Sequence, residues 1–213
     1  MTFGELKAKL RFRLGNRTDI DDLIASNINR AYLDIATRER FVAGGKIITL
    51  PQRIYFPTLL SSDSFLTEKD TQSYDIAADV LWVIGIKNLT KNIPITLKTF
   101  RDFYKFINAP FKGTPVMAYV QGTKLWFYPT PDGEYSIEYW YKKKVQPLSN
   151  NTDVPELPEE WHEAIFLLAA AMCYFDLLED ERGMNHMMLL ENFIIEHLGQ
   201  EMAYFANVYS KST

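Results

Sequence analysis

The sequence predicts an α+β protein in which the N- and C-terminal helices form a bundle and an antiparallel β-rich region is inserted between them. Three observations support this fold class. Apolar residues recur at helical spacing at both ends of the chain, they alternate with polar residues between positions 46 and 144, and a proline-rich linker follows the alternating part. The predicted helical part spans residues 1–45 and 156–213 and includes a C-terminal arm. The predicted insertion spans residues 46–155.

The composition of the 213-residue chain is that of a folded globular protein. Hydrophobic residues make up 47% of it and charged residues 23%, and the formal net charge is -4. This mildly acidic balance argues against a protein that coats nucleic acid over a broad surface, since such proteins are usually basic. The single cysteine, Cys173, precludes an intrachain disulfide and fits assembly in a reducing compartment.

The N-terminal part of the sequence predicts two helices. In the first, Thr2 and Glu5 have the spacing of a capping box, apolar residues follow at helical spacing, and Gly15 is a natural end. The second helix begins behind Asp19 and is expected to continue to the glycine pair at 44–45.

The region that follows predicts strands and one short helix. Two hairpins are expected, the first from KIITL (46–50) with RIYF (53–56) and the second from SFLTE (64–68) with QSYDI (72–76). Further strands are expected from VLWVIGI, VMAYVQ, KLWFYP and EYSIEYWYKK, and the short helix is expected over residues 99–108. Four residues of the last strand should share its core face: Tyr135, Ile137, Tyr139 and Tyr141.

The C-terminal part predicts two more helices. The linker QPLSNNTDVPELP ends at Pro158, which suits the first position of a helix that runs to about Leu178. This helix is apolar almost all round and should lie between other helices. Its uncharged run, residues 164–175, is shorter than the roughly 20 residues of a bilayer span, so we expect no membrane partner. After EDERG, a last helix is expected over residues 184–209.

The segment ELPEEWHEAI at the start of the third helix has the residue types of two catalytic sites. His162-Glu163 could open a zinc-protease motif, but that motif needs a second histidine four residues on, where this chain has Phe166. The carboxylates at 159, 160 and 163 could act in glycoside cleavage, but acidic residues are common in the first turn of any helix. We therefore expect no enzyme activity, no cofactor and no metal ion. Pro158, Trp161 and His162 are assigned to structural helix entry.

With these segments in place, the chain resembles the head–tail connector adaptors of tailed bacteriophages. The resemblance lies in the helices at both ends, in KLWFYPTPDGEYSIEYWYKKK, and in LSNNTDVPELPEEWHEAI leading into an apolar helix. It is most specific over residues 124–171, and FGELKAKLRFRLG and INRAYLDIATRERF add weaker support. The nearest type is that of the short-tailed phages, similar in role to tail tubular protein A.

The resemblance implies a structural protein of the virion neck that is assembled in the host cytoplasm. It implies a ring, of twelve copies, that lies between the portal protein and the tail or nozzle protein. The ring would extend the channel through which genomic DNA passes without sequence-specific binding. It also implies that the C-terminal segment grips the portal or an adjacent subunit, through four residues: Met202, Tyr204, Phe205 and Tyr209.

Two other function classes remain open from the sequence. A module that binds single-stranded nucleic acid would use Trp126, Tyr128, Trp140 and the lysines at 142–144, and its affinity for oligonucleotides would depend on salt. A cell-wall hydrolase would use the carboxylates at 159–163. Its turnover of peptidoglycan would be lost in Glu160→Gln.

Overall fold

The computed structural model describes the backbone of residues 1–37, 40–43, 46–49 and 56–209, and the side chains of residues 1–37 and 56–197. Within these ranges the chain forms five α-helices and nine strands, so the predicted α+β class is confirmed. Contacts divide the chain into two compact units. One unit comprises Met1–Thr58 together with Val145–Thr213, and the other is Leu59–Lys144.

Helix α1 (Phe3–Arg13) begins and ends where the sequence predicts. The Thr2 hydroxyl accepts a hydrogen bond from the Glu5 backbone N–H (3.2 Å), and the Glu5 carboxylate accepts one from the Thr2 N–H (2.8 Å). At the other end, Gly15 has a φ of 77° and its N–H donates to the carbonyl of Phe12. The left-handed conformation favours glycine there, because glycine lacks the Cβ that clashes in it.

Helix α2 (Asp21–Thr37) ends seven residues before the predicted glycine pair. The predicted extension is wrong, because β1 (Arg40–Ala43) pairs antiparallel with β2 (Lys46–Thr49). The runs RFVA and KIIT on either side of the two glycines are rich in β-branched and aromatic residues, which favour paired strands over a helix. Residues 53–55 of the predicted KIITL–RIYF hairpin lie outside the described part of the chain.

Helices α4 (His162–Asp176) and α5 (Asp180–Tyr209) follow a single 3-10 turn at Glu159–Trp161. The predicted start of the last helix, at residue 184, is wrong by four residues. Helix α4 is closed at its C-terminus by the N–H groups of Leu178 and Glu179, which donate to the carbonyls of Phe175 (3.0 Å) and Tyr174 (2.8 Å). Three residues, 177–179, therefore suffice to connect α4 to α5. The acidic residues that follow, Asp180 and Glu181, lie in the first turn of α5, where the helix dipole favours them.

Helix α4 is the buried centre of the helical unit, as its apolar composition predicts. It packs against α1, α2 and α5, and twelve of its fifteen residues are buried. Next to the connection between α4 and α5, a Cβ on Gly183 would lie 2.5 Å from the ring of Phe175. Any larger residue at position 183 would therefore displace this ring.

The β-rich unit is built on a curled seven-stranded sheet. In spatial order its strands are β3 (Leu60–Leu66), β9 (Ser136–Lys143), β5 (Val80–Asn88), β6 (Ile93–Leu97), β7 (Met117–Gln121), β8 (Lys124–Tyr128) and β4 (Ser73–Asp75). The predicted all-antiparallel sheet is wrong at one pair, because β6 and β7 are parallel. Between them the chain forms α3 (Phe100–Phe103) and a 3-10 turn at Tyr104–Phe106, a crossover that parallel strands need.

The predicted hairpin between SFLTE and QSYDI is also wrong. Strand β3 pairs along its length with β9, and β4 pairs with β8. Thr67 fixes the first of these pairings: its hydroxyl donates to the Gly133 carbonyl and accepts from the Tyr135 N–H, both at 2.9 Å. The chain after β3 is thereby held beside the start of β9 rather than turned back onto β3.

Strand β9 has the core face that the sequence predicts. Ile137 and Tyr139 are fully buried, and Tyr135 and Tyr141 nearly so. The Tyr139 hydroxyl accepts from the Ala77 N–H and donates to the Asp63 carboxylate, and burial raises the pKa of Tyr139 to about 12. The hydroxyl is therefore a neutral, hydrogen-bonded part of the core.

Leu178→Gly is expected to stabilise the protein by about 0.5–1 kcal/mol. Leu178 has a φ of 61° and its side chain is 88% exposed, so the substitution relieves backbone strain and loses little burial. The left-handed conformation costs an L-residue about 1–2 kcal/mol, and the extra freedom of glycine in the unfolded chain offsets part of that gain. Urea unfolding measures the difference. A variant less stable than the wild type would show that Leu178 makes a packing contact that its exposure does not reveal.

Candidate functional site

The entry to α4 is a closely packed junction within the helical unit. Trp161 is 1% exposed, and its ring meets those of Phe56 (5.0 Å between centroids) and Phe193 (5.7 Å) edge to face. Pro158 precedes the 3-10 turn, and its carbonyl accepts from the Trp161 N–H at 2.9 Å. These contacts tie the linker, α4 and α5 together.

His162 makes two kinds of contact, both with groups of its own unit. Its Nε2 lies 3.0 Å from the Leu157 carbonyl, which can only accept, so Nε2 carries the proton and donates. Its Nδ1 then accepts from the Met1 amino group at 2.6 Å. Burial, and secondly the positive charge of that amino group, lower the pKa of His162. Both ring nitrogens are engaged, so the imidazole holds the junction and offers no free ligand atom.

The three carboxylates of the same segment have different surroundings. Glu163 forms an ion pair with Lys9 of α1 (2.5 Å), and the same ammonium lies 4.1 Å from the centre of the Phe166 ring. Glu159 lines an open cavity of about 360 Å³ beside His162, while Glu160 is exposed in the 3-10 turn. The arrangement connects α4 to α1, which is a packing role.

Stability is expected to fall as the pH drops below 6.5, in a way that depends on His162. Because the folded-state pKa of His162 lies below the ordinary 6.5, the unfolded chain binds the proton more tightly. The contribution of neutral His162 to the free energy of unfolding is complete above pH 6.5. It is lost as the pH falls toward the folded-state pKa, by up to about 1.4 kcal/mol per pH unit. Urea unfolding at about pH 7.5 and about pH 5.5 measures this loss.

His162→Gln is the matched control for that measurement, since the amide keeps a donor and an acceptor but does not titrate. The stability of the variant should fall less than that of the wild type over the same interval, by the amount that His162 contributes. Equal losses in the two proteins would show that other groups cause the acid sensitivity.

The residues proposed for stacking nucleic-acid bases do not form one platform. Trp126 and Tyr128 lie on β8, whereas Trp140 and Lys142 lie on β9, and strands β5, β6 and β7 separate the two in the sheet. Lys142 is 4% exposed, and its ammonium lies 4.9 Å from the centre of the Trp82 ring. The lysine is therefore part of the folded unit rather than a free cation beside exposed rings.

A surface that the sequence analysis missed lies on the crossover between β6 and β7. Seven aromatic rings contact one another in succession there, with neighbouring centroids 4.2–6.3 Å apart. We name this set the aromatic row; in order of contact it comprises Tyr104, Phe100, Tyr119, Phe103, Phe106, Tyr128 and Phe111. The phenylalanines of FRDFYKFINAPFK are its signal in the sequence, but their partners at 119 and 128 come from other strands.

The aromatic row is buried in its middle and exposed at its ends. Phe103 is fully buried, whereas Phe100, Tyr104 and Phe111 are 54%, 59% and 63% exposed. The Lys105 ammonium lies 5.2 Å from the centre of the Phe106 ring. The row thus presents large apolar side chains with basic side chains beside them.

A second exposed apolar surface lies on α5. Met187, Leu190 and Ile194 form the buried face of this helix. On the other side lies a set of exposed residues at helical spacing, which we name the α5 outer face: Glu181, Met188, Leu189, Asn192, Ile195 and Glu196. Its apolar members Met188, Leu189 and Ile195 are 53%, 47% and 72% exposed, respectively. The predicted contact residues Met202, Tyr204, Phe205 and Tyr209 follow on the same helix, where side chains are outside the described residues.

The described residues also bear on metal binding, membrane spanning and thiol chemistry. Among the residues whose side chains are described, no group of three or more His, Cys, Asp or Glu lies close enough together to hold a metal ion. In the same part of the chain, no helix combines the length and the hydropathy needed to cross a bilayer. Burial raises the pKa of the Cys173 thiol to about 11, so it is a poor nucleophile.

Comparison with known protein families finds a match over nearly the whole chain. The model of the family described as SU10 adaptor protein matches residues 1–208, a range that includes the β-rich unit, nearly all of the helical unit and both exposed surfaces. A comparison with curated proteins gives no match.

Proposed function

Since the chain belongs to the SU10 adaptor protein family, we propose that it is a structural component of a bacteriophage virion that joins other virion components. The match over residues 1–208 is the observation that carries this proposal. The side chains of the former catalytic candidates support it. His162 and Glu163 are engaged in contacts within the helical unit, which fits a structural protein rather than an enzyme.

We further propose the position of the adaptor in the virion neck. A ring of twelve copies would lie between the portal protein and the tail or nozzle protein and extend the DNA channel, as in the short-tailed phages, with a role similar to that of tail tubular protein A. The net charge of -4 supports passage of DNA without tight binding, because a protein that holds DNA by releasing counterions is usually basic. Assembly would take place in the host cytoplasm.

The helical part, proposed as residues 1–45 and 156–213, would form the bundle that meets the portal, with the C-terminal arm as its contact. Met202, Tyr204, Phe205 and Tyr209 would touch the portal or an adjacent subunit, because aromatic side chains supply large contact area at interfaces. The β-rich part, proposed as residues 46–155, would leave its exposed aromatic side chains for other contacts in the assembly.

The proposal is tested by removing the chain during infection. A phage with a stop codon early in this gene should produce heads that lack tails, and expression of the wild-type chain in the host should restore tailed, infectious particles. Tailed particles at normal yield without the chain would contradict an adaptor role.

A further inference from the structure

The aromatic row exposes more apolar surface than its unit needs for folding. Its central ring, Phe103, is already fully buried, yet Phe100, Tyr104 and Phe111 at the ends are each more than half exposed. Val116, between the row and β7, is 43% exposed. Half-buried rings, those of Phe106, Tyr119 and Tyr128, link these exposed side chains. Clustered exposed apolar side chains mark an interaction site in a folded protein, and aromatic residues are enriched at the centres of protein interfaces.

The charge around the aromatic row selects an acidic partner. Residues 97–112 contain four basic residues and one acidic residue, Asp102. The Asp102 carboxylate accepts a hydrogen bond from the Thr99 hydroxyl at 2.9 Å, while Arg101 and Lys105 are exposed. A partner with acidic side chains around an apolar centre would match both features of this surface.

The chain itself presents such a partner surface. Residues 153–196 contain eleven acidic residues and one basic residue. Within this segment the α5 outer face has three exposed apolar side chains, Met188, Leu189 and Ile195, with Glu181 before them and Glu196 after them. Its apolar centre and acidic ends are complementary to the aromatic centre and basic neighbours of the row.

We propose that the aromatic row of one copy binds the α5 outer face of the next copy, an inference that rests on the proposed ring. Because the two surfaces differ, the contact is head to tail, which is the kind of contact that every subunit of the proposed ring would repeat. The opposite charges direct the encounter and disfavour contacts between two copies of the same surface.

A charge exchange tests the pairing. The first variant, R101E/K105E, reverses the charge of the aromatic row, and the second, E181K/E196K, reverses that of the α5 outer face. All four side chains are exposed, so folding should be unchanged by circular dichroism. Sedimentation velocity, alone and with purified portal, should show that each variant needs about tenfold more protein to assemble. The variant that carries all four changes should assemble within about threefold of the wild type, because the charges are again opposite.

K91E/E160K is the matched control, since it exchanges the same charges at exposed positions outside both surfaces. It should assemble like the wild type. Three results would overturn the pairing while leaving the ring. They are normal assembly of R101E/K105E, failure of the fourfold variant to recover, and a loss of portal binding in R101E/K105E while assembly of the chain alone is normal. A wild-type chain that stays monomeric alone and with portal would instead overturn the ring in the proposed function, and the pairing with it.

Discussion

Ala169→Asp is expected to unfold the helical unit, with a loss of about 4–5 kcal/mol or more. Ala169 is fully buried in α4, which is packed against α1, α2 and α5, so the new carboxylate would have neither water nor a partner. An uncompensated buried charge costs about 3–5 kcal/mol, and the added volume in a close-packed position costs more. Thermal melting followed by circular dichroism at the helical signal measures the effect.

Leu178→Asp is the control for this substitution, because it introduces the same carboxylate at a position that is 88% exposed, just after α4. Its stability should stay within about 0.5 kcal/mol of the wild type. A melting temperature of Ala169→Asp within about one degree of the wild type would show that α4 is not buried in solution.

Truncation after Gln200 is expected to abolish binding to portal-filled heads while leaving a folded chain. The removed segment contains Met202, Tyr204, Phe205 and Tyr209, the proposed anchors for the portal or an adjacent subunit. Loss of several aromatic anchors at the centre of an interface costs about 2 kcal/mol or more each, which lowers affinity by more than tenfold. Cosedimentation of the labelled protein with purified heads measures occupancy.

A milder variant separates loss of the anchors from loss of the chain end. Tyr204→Ser/Phe205→Ser keeps the full length and should also reduce occupancy, by about tenfold or more. Unchanged occupancy of the truncated protein, with normal circular dichroism, would show that the portal contact lies elsewhere, and α1 would be the next segment to test.

The parts of the fold predicted correctly are those that neighbouring residues determine. The capping box at Thr2, the end of α1 at Gly15 and the core face of β9 depend on spacing within a few residues. Strand pairing does not depend on such local spacing. SFLTE and QSYDI are close in sequence, yet each pairs with a strand distant in sequence, β3 with β9 and β4 with β8.

The same division holds for the candidate sites. The linker composition predicts a helix entry at Trp161 and His162. In the structure the Trp161 ring contacts that of Phe56, and the His162 Nε2 donates to the Leu157 carbonyl. The aromatic row could not be assembled from the sequence, because its members at 119 and 128 join the crossover residues only through the parallel pairing of β6 with β7. If every strand pair is predicted to be antiparallel, nothing in the prediction brings the crossover residues against Tyr119 of β7 and Tyr128 of β8.

Imaging by negative stain of the purified chain mixed with purified portal tests the central claim most directly. The adaptor proposal predicts rings of the chain stacked on one face of the portal with a common axis, and an open channel through both. Portal particles with no added density, in a background of dispersed monomers, would contradict it.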